Sequence, residues 1–227
     1  MQKGMKQLCR IVALKADRDF CMEPYFDFFR TMSERGINSP HGDGYGYVLR
    51  NLFEETLYRS EQSVVDAPNN DCTVRSVLLH SRKATGDYRR NLMQVHPFAV
   101  SMHGKTYYFV HNGVISRLEA REGVTDSQVY FERIVSMMVG GKNEAFALQS
   151  VANDLALKHE YTSLNAIFTD LNRFWVLKLN SDNADTYHDF WYTEHDGILI
   201  VSSEEPKKYM SIKEKSRRLD NGELFVF

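Results

Sequence analysis

The sequence is poor in cysteine and in net charge, and it has no long hydrophobic run. Its three cysteines, Cys9, Cys21 and Cys72, are an odd number at wide spacing, which argues against a disulfide framework and a zinc site. The formal net charge is −2, so nothing indicates a nucleic-acid-binding surface. No apolar stretch approaches the ~20 residues of a membrane span, and Arg10 interrupts the first apolar stretch, which makes it a poor signal peptide. We therefore expect a cytoplasmic protein without nucleic-acid or membrane partners.

The composition is that of an ordinary globular domain, with 43% hydrophobic and 26% charged residues among 227. Residue patterns predict strands, then two adjacent helices, then strands again, with one earlier helix that begins at Glu23-Pro24 and stops at Gly36. The predicted strands are 8–14, 45–50, 55–60, 73–80, 107–111, 164–169, 174–179, 190–193, 198–202 and 223–227. The two adjacent helices are predicted at 126–139 and 143–158. This order favours a single α+β layered domain over a fold in which strands and helices alternate.

Four short polar segments lie where a predicted strand ends or a predicted helix begins, and functional sites are commonly built at such places. They are Cys9–Arg10, His80–Gly86, His111–Gly113 and Thr125–Ser127. Each has an ordinary structural explanation: a buried cysteine, an arginine in a surface ion pair, an Asn-Gly turn and a helix N-cap. Taken singly, each segment is best explained in that way, and only their order along the chain favours a functional site.

That order resembles the glutaminase domain of the class II glutamine amidotransferases, which are N-terminal-nucleophile hydrolases. The family has Cys at the mature N-terminus, then Asp-Gly-x-Gly, His-x-Arg-x-x-Thr, His-Pro-Phe, His-Asn-Gly and Thr-Asp-Ser-Glu. The matching segments here are Cys9, Asp43–Gly46, His80–Thr85, His96–Phe98, His111–Gly113, Thr125–Gln128 and a late Val201–Glu204. The likeness runs over nearly the whole chain and is similar to the compact stand-alone branch, which has no synthase domain.

The resemblance implies a four-layer αββα sandwich, in which two antiparallel sheets pack face to face and helices cover both outer faces. The helix that contains Phe26 would cover one face, and the helices at Asp126 and Asn143 would cover the other. The resemblance also implies a single glutamine amidotransferase type 2 domain at residues 9–227, preceded by a leader or propeptide at residues 1–8.

The same resemblance implies a glutamine amidohydrolase in which Cys9 attacks glutamine, or a γ-glutamyl compound, and forms a thioester. The thiolate is the nucleophile, and an α-amino group with a pKa of roughly 7.7–8.0 is a suitable base for it. The Asn112 side chain and the Gly113 backbone N–H would stabilise the oxyanion of the tetrahedral intermediate. No metal or cofactor is expected to take part.

Three further residues are expected to bind the substrate. Arg82 suits the α-carboxylate, because a guanidinium group can donate two parallel hydrogen bonds to it. The resemblance assigns the α-ammonium group to Asp126 and adds Thr85 as a further contact. The expected partner is therefore a small-molecule substrate, with a synthase chain or a second copy of this chain as additional candidates.

The sequence departs from the family pattern at three positions. Cys9 is preceded by eight residues, and its amide nitrogen is not a base, so activity is expected to need a cut between Leu8 and Cys9. Gln128 replaces the usual Glu, keeping its size but not its charge. Gln94 stands where the family often has Asn.

Two other functions remain open from the sequence. The chain could be a non-catalytic domain of the same fold that binds a γ-glutamyl ligand or a partner protein. Alternatively, His80, His96 and His111 could hold a metal, although they come from separate segments without the short spacing of common metal sites.

Overall fold

The computed structural model describes residues 9–84, 91–118, 121–181 and 188–227. The predictions for the leader at 1–8 and for Thr85 therefore lie outside the described residues. None of the described helices is long and apolar enough to cross a membrane.

The described residues form strands and helices in the order that the sequence predicts. The elements are β1 (Arg10–Cys21), α1 (Glu23–Arg35), β2 (Tyr45–Arg50), β3 (Glu55–Ser60), β4 (Thr73–Ser81), β5 (Phe98–Met102), β6 (Lys105–Asn112), α2 (Asp126–Val139), α3 (Glu144–Lys158), β7 (Asn165–Thr169), β8 (Phe174–Leu177), β9 (Trp191–His195), β10 (Ile198–Ser202), β11 (Arg217–Arg218) and β12 (Leu224–Val226).

The strands form two sheets, and the described strand pairs are antiparallel. The larger sheet has seven strands in the order β11-β9-β10-β1-β4-β2-β3. The smaller sheet has five strands in the order β12-β8-β7-β6-β5. The strand that follows Cys9 is therefore an interior strand of the larger sheet, paired on both sides.

Three buried hydrophobic clusters hold four layers together. The first packs α1 against the outer face of the larger sheet, the second lies between the two sheets, and the third packs α2 and α3 against the smaller sheet. Their fully buried members include Phe29, Phe174 and Ile134, respectively. The predicted α+β fold, a four-layer αββα sandwich, is confirmed.

The local predictions were wrong mainly at strand ends and in short strands. β1 runs to Cys21, seven residues beyond the predicted end at Leu14, although its second half is partly exposed. The sequence analysis placed no strand at Phe98–Met102, a five-residue edge strand in which only Phe98 is buried. It also missed Arg217–Arg218, since a two-residue strand has no periodicity to detect.

Antiparallel pairing brings the site segments together at one edge of the sandwich. Arg10, the first residue of β1, pairs with Ser81, the last residue of β4. Asn112, the last residue of β6, pairs with Asn165 at the start of β7. A hydrogen bond from the Cys9 N–H to the Asn112 side chain joins these two places across the sheets.

Candidate active site

A cavity of about 520 Å³ brings together residues that the sequence analysis singled out. Cys9, Arg82, Gly113 and Asp126 all line it. Asn112 lies next to them, because its side chain is hydrogen-bonded to Cys9. The cavity therefore joins the start of β1, the ends of β4 and β6, and the first turn of α2.

Asn112 is fully buried and holds the backbone of Cys9 through one atom of its amide group. The Cys9 N–H donates to Asn112 Oδ1 at 2.9 Å. The Nδ2 atom of the same amide is buried and has no hydrogen-bond partner among the described residues. A buried donor without a partner costs about 1–3 kcal/mol. This N–H group is therefore suited to an oxygen atom that approaches Cys9.

Gly113 occupies a position in the cavity wall that has no room for a side chain. A Cβ atom there would overlap the backbone carbonyl oxygen of Ser163. The close approach of the two backbones therefore requires glycine.

Burial keeps the Cys9 thiol protonated at neutral pH. It raises the pKa of the thiol to about 11, while a hydrogen bond from the Lys83 backbone and the charges of Arg82 and Arg10 act in the opposite direction. Asp126 contributes a smaller upward shift. Because the thiolate is the reactive form, Cys9 needs a base to act as a nucleophile.

Arg82 is a buried cation in the cavity, only 7% exposed. The explanation of this residue as part of a surface ion pair is therefore wrong. Its Nη2 donates to Gln94 Oε1 at 3.1 Å, and its Nη1 is buried without a partner among the described residues. Gln94, one of the departures from the family pattern, thus orients the guanidinium and leaves one nitrogen for a ligand.

The Asp-Gly-x-Gly motif fixes the segment that carries Arg82, a role that sequence reasoning missed. Arg82 N–H donates to the Gly44 carbonyl at 2.8 Å, and Asp43 N–H donates to the Arg82 carbonyl at 3.1 Å. The Ala84 N–H donates to Asp43 Oδ2 at 2.9 Å. The motif itself was visible in the sequence, but these contacts link residues about forty positions apart.

The start of α2 is both an N-cap and a wall of the cavity. Thr125 Oγ1 accepts from the Gln128 N–H at 3.2 Å, and Gln128 Oε1 accepts from the Thr125 N–H at 2.8 Å, forming a capping box. Asp126 Oδ2 accepts from the Ile115 N–H at 2.7 Å. Gln128 therefore preserves the capping function of the usual Glu while Asp126 is held beside the cavity.

Among the described residues, the groups close enough to hold a metal ion together do not include His80, His96 and His111. His111 Nδ1 lies 2.9 Å from Ser127 Oγ and His111 Nε2 lies 3.0 Å from the Ser163 carbonyl oxygen, so both ring nitrogens are engaged. The rings of His80 and His96 lie 4.3 Å apart between centroids. Burial lowers the pKa of His80 to about 3 and also lowers the pKa values of His96 and His111, so these rings are neutral at neutral pH.

The sequence profile of the glutamine amidotransferases class-II matches residues 8–181 of this chain. The chain belongs to this family. The resemblance carried by the motifs is thereby confirmed, and membership in the family implies hydrolysis of the glutamine amide in general. No curated protein sequence matches the chain.

Solved structures of class II amidotransferases share the fold. The glutamine phosphoribosylpyrophosphate amidotransferase from Bacillus subtilis has a TM-score of 0.64 at 14% identity, over 96% of this chain and 47% of its own. A glutamine aminotransferase class-II domain protein from Silicibacter pomeroyi gives 0.60 at 18% identity, over 96% and 94%. A predicted glutamine amidotransferase from Pseudomonas aeruginosa gives 0.53 at 14% identity, over 98% and 96%.

The alignment includes 47% of the Bacillus subtilis enzyme, so this chain spans about half the length of that enzyme. At these identities the likeness establishes the fold alone. The roles of Cys9, Asn112, Gly113, Arg82, Thr85 and Asp126 stay predictions.

Proposed function

We propose that this amidotransferase hydrolyses the side-chain amide of glutamine, or of a γ-glutamyl compound, through a thioester on Cys9. The contact between Asn112 and Cys9 is the observation that supports this most strongly. One atom of the Asn112 amide holds the nucleophilic residue, and the other is an unpaired buried donor suited to the oxyanion. A structural asparagine has no need to leave that donor unpaired.

The charges around the cavity fit the head group of an α-amino acid. The unpaired Nη1 of Arg82 is suited to the α-carboxylate, and the Asp126 carboxylate is suited to the α-ammonium group. These contacts would orient the side-chain amide toward Cys9. Thr85 is proposed as a further substrate contact.

The chemistry needs a base beside the thiol, and the α-amine of Cys9 is our candidate. Once the Leu8–Cys9 bond is cut, the neutral amine keeps an N–H for Asn112 Oδ1 and gains a lone pair that can take the thiol proton. The sulfur then attacks the amide carbon. The carbon–nitrogen bond breaks, and the leaving nitrogen takes up the proton and departs as ammonia. Water hydrolyses the thioester, which releases glutamate and restores the thiol.

The test compares three forms of the chain: full-length, beginning at Leu8, and beginning at Cys9. The Leu8 form is the matched control, because it differs by one residue yet has an amide at Cys9. We expect only the Cys9-first form to release ammonia, with the other two about 100- to 10,000-fold slower. Replacement Cys9→Ala in the Cys9-first form should abolish activity.

Two outcomes would contradict the proposal. Equal activity of the Leu8 and Cys9 forms would exclude the α-amine as the base. A folded Cys9-first form that is inert toward glutamine and a panel of γ-glutamyl donors would favour the non-catalytic binding domain instead.

A further inference from the structure

A buried ion pair lies directly beside the proposed nucleophile and has no part in the chemistry described so far. Arg10 Nη2 and Glu204 Oε1 are 2.5 Å apart, and the two side chains are 0% and 3% exposed. Burying two charges is destabilising unless good geometry and further hydrogen bonds compensate. Apolar side chains of similar volume often stabilise a fold at least equally well. Stability alone therefore does not explain why this ion pair is buried here.

The Arg10 guanidinium is bound on several sides. Its Nη1 donates to the Cys9 carbonyl at 3.4 Å, and its Nη2 donates to the Ile37 carbonyl. Glu204 Oε1 also accepts from the Ile37 N–H at 2.8 Å, and Glu204 Oε2 accepts from the Tyr209 hydroxyl at 2.6 Å. The pair therefore joins the start of β1 to the loop after α1 and to the segment after β10.

This network holds the Cys9 backbone through its carbonyl group, whereas Asn112 holds its N–H group. Asn112 accepts from the Cys9 N–H, whereas Arg10 donates to the Cys9 carbonyl. The next residue, Ile11, exchanges hydrogen bonds with Ser203, one from its N–H to Oγ and one from the Ser203 N–H to its carbonyl, both at 3.0 Å. A chain end is poorly ordered unless it is tied down, and a shift of about 1 Å in a reacting group can cost 100-fold in rate.

We propose that Arg10 and Glu204 are positioning residues for the Cys9 nucleophile: Glu204 orients the guanidinium, which holds the Cys9 carbonyl and places a positive charge near the sulfur. This inference rests on the proposed function of Cys9, but its consequence for thiol reactivity can be measured without turnover.

The charge of Arg10 has a direct electrostatic consequence at the thiol. Arg10 lowers the pKa of Cys9, as does Arg82 in the segment after β4, while Asp126 at the start of α2 raises it. His96 and His111, which line the cavity beside them, are kept neutral because burial lowers their pKa values. Removing the Arg10 cation therefore decreases the thiolate fraction of Cys9, because Arg82 is then the remaining charge that lowers this pKa.

The test removes both charges of the pair together, because a single buried charge left behind is strongly destabilising and can unfold the chain. The double variant Arg10→Met/Glu204→Gln keeps similar volumes. The matched control is Lys178→Met/Asp189→Asn, which removes a second buried pair with a 2.8 Å contact and exposures of 3% and 6%. The variants are made in the full-length chain for alkylation and in the chain that begins at Cys9 for turnover, and their folding is checked by circular dichroism and thermal unfolding.

The readouts are the rate of Cys9 alkylation by iodoacetamide at neutral pH, followed by peptide mass spectrometry, and kcat and KM for glutamine. In the Arg10/Glu204 double variant, we expect alkylation and kcat to fall roughly 10- to 100-fold with little change in KM. The Lys178/Asp189 control should lose stability but keep both rates. A folded Arg10/Glu204 variant with parental rates would overturn the inference.

A second variant covers the case in which the double variant does not fold. Arg10→Lys keeps a positive charge beside Glu204 but loses the separate nitrogens that donate to the Cys9 and Ile37 carbonyls. We expect kcat to fall by a smaller factor than in the double variant while alkylation of Cys9 stays near the parental rate; a parental kcat would overturn the inference. If the parent chain is inactive but alkylation still depends on Arg10 and Glu204, the proposed function fails while the positioning role stands.

Discussion

At the scale of single residues, Asn112 both holds the Cys9 backbone and carries the donor proposed for the oxyanion. Replacing it with Asp keeps an oxygen for the Cys9 N–H but removes the unpaired Nδ2 donor. We expect kcat of the Cys9-first chain to fall about 100- to 1,000-fold, because one oxyanion donor is lost. Steady-state kinetics with glutamine provides the measurement.

Asn165, which pairs with Asn112 on β7, is the matched control for that substitution. Its Nδ2 donates to the His188 carbonyl at 2.6 Å and its Oδ1 accepts from the Leu179 N–H at 2.8 Å, so both amide atoms are already used. Asn165→Asp should therefore reduce stability while kcat of the folded fraction is retained. A loss of less than tenfold for Asn112→Asp would remove this residue from the oxyanion site.

The raised pKa of the Cys9 thiol predicts how the alkylation rate of this residue depends on pH in the full-length chain. Because burial raises its pKa to about 11, the thiolate fraction is small at neutral pH and grows as pH increases. Alkylation of Cys9 by iodoacetamide should rise about tenfold per pH unit up to that range. Peptide mass spectrometry follows Cys9 separately, with the exposed Cys21 as an internal check on the reagent. A rate that levels off near neutral pH would contradict the raised pKa.

The residue scale also marks the limit of sequence reasoning about the site. The motif order pointed to Cys9, Arg82, Gly113 and Asp126, which line one cavity. It did not reveal that Gln94 orients Arg82, because the two residues lie 12 positions apart and no local pattern links them. A departure from the family pattern was visible at this position, but its partner was not.

At the scale of elements, the N-cap of α2 connects helix stability to substrate binding. Thr125→Ala should cost about 1 kcal/mol, because the cap hydrogen bond to Gln128 is lost. It should also raise KM for glutamine, because the first turn of α2 carries Asp126, the proposed contact of the substrate α-ammonium group. The control is Asn143→Ala at the N-cap of α3, where Asn143 Oδ1 accepts from the Phe146 N–H at 2.9 Å. That variant should lose similar stability in thermal unfolding without a change in KM; equal KM effects would contradict the link.

The elements that sequence reasoning placed correctly are those with strong local signals. α2 has a capping box and α3 an asparagine cap, so the start of each helix is set within a few residues. The strands were harder to bound, because β1 continues beyond its apolar half while paired with β4. Pairing between distant segments, rather than local composition, determines where such a strand ends.

At the scale of the whole molecule, the two sheets share a buried layer that should make them unfold together. Ile11 and Val201 of the larger sheet belong to the same hydrophobic cluster as Ile167 and Val176 of the smaller sheet. The helices on the outer faces pack against one sheet each and cannot supply this coupling. The site depends on it, because Cys9 precedes a strand of one sheet and Asn112 ends a strand of the other.

The two tryptophans of the chain allow this coupling to be measured, since Trp191 lies in the larger sheet and Trp175 in the smaller one. Trp175→Phe and Trp191→Phe leave one fluorescent reporter each, and we expect urea unfolding of both to follow the same transition as circular dichroism of the same variant. Ile167→Val, in the layer between the sheets, should then destabilise the chain by about 0.5–1.5 kcal/mol and shift both reporters together. If the Trp175 signal moved while the Trp191 signal did not, the sheets would be separate folding units, and the contact between Asn112 and Cys9 would join two independently stable halves.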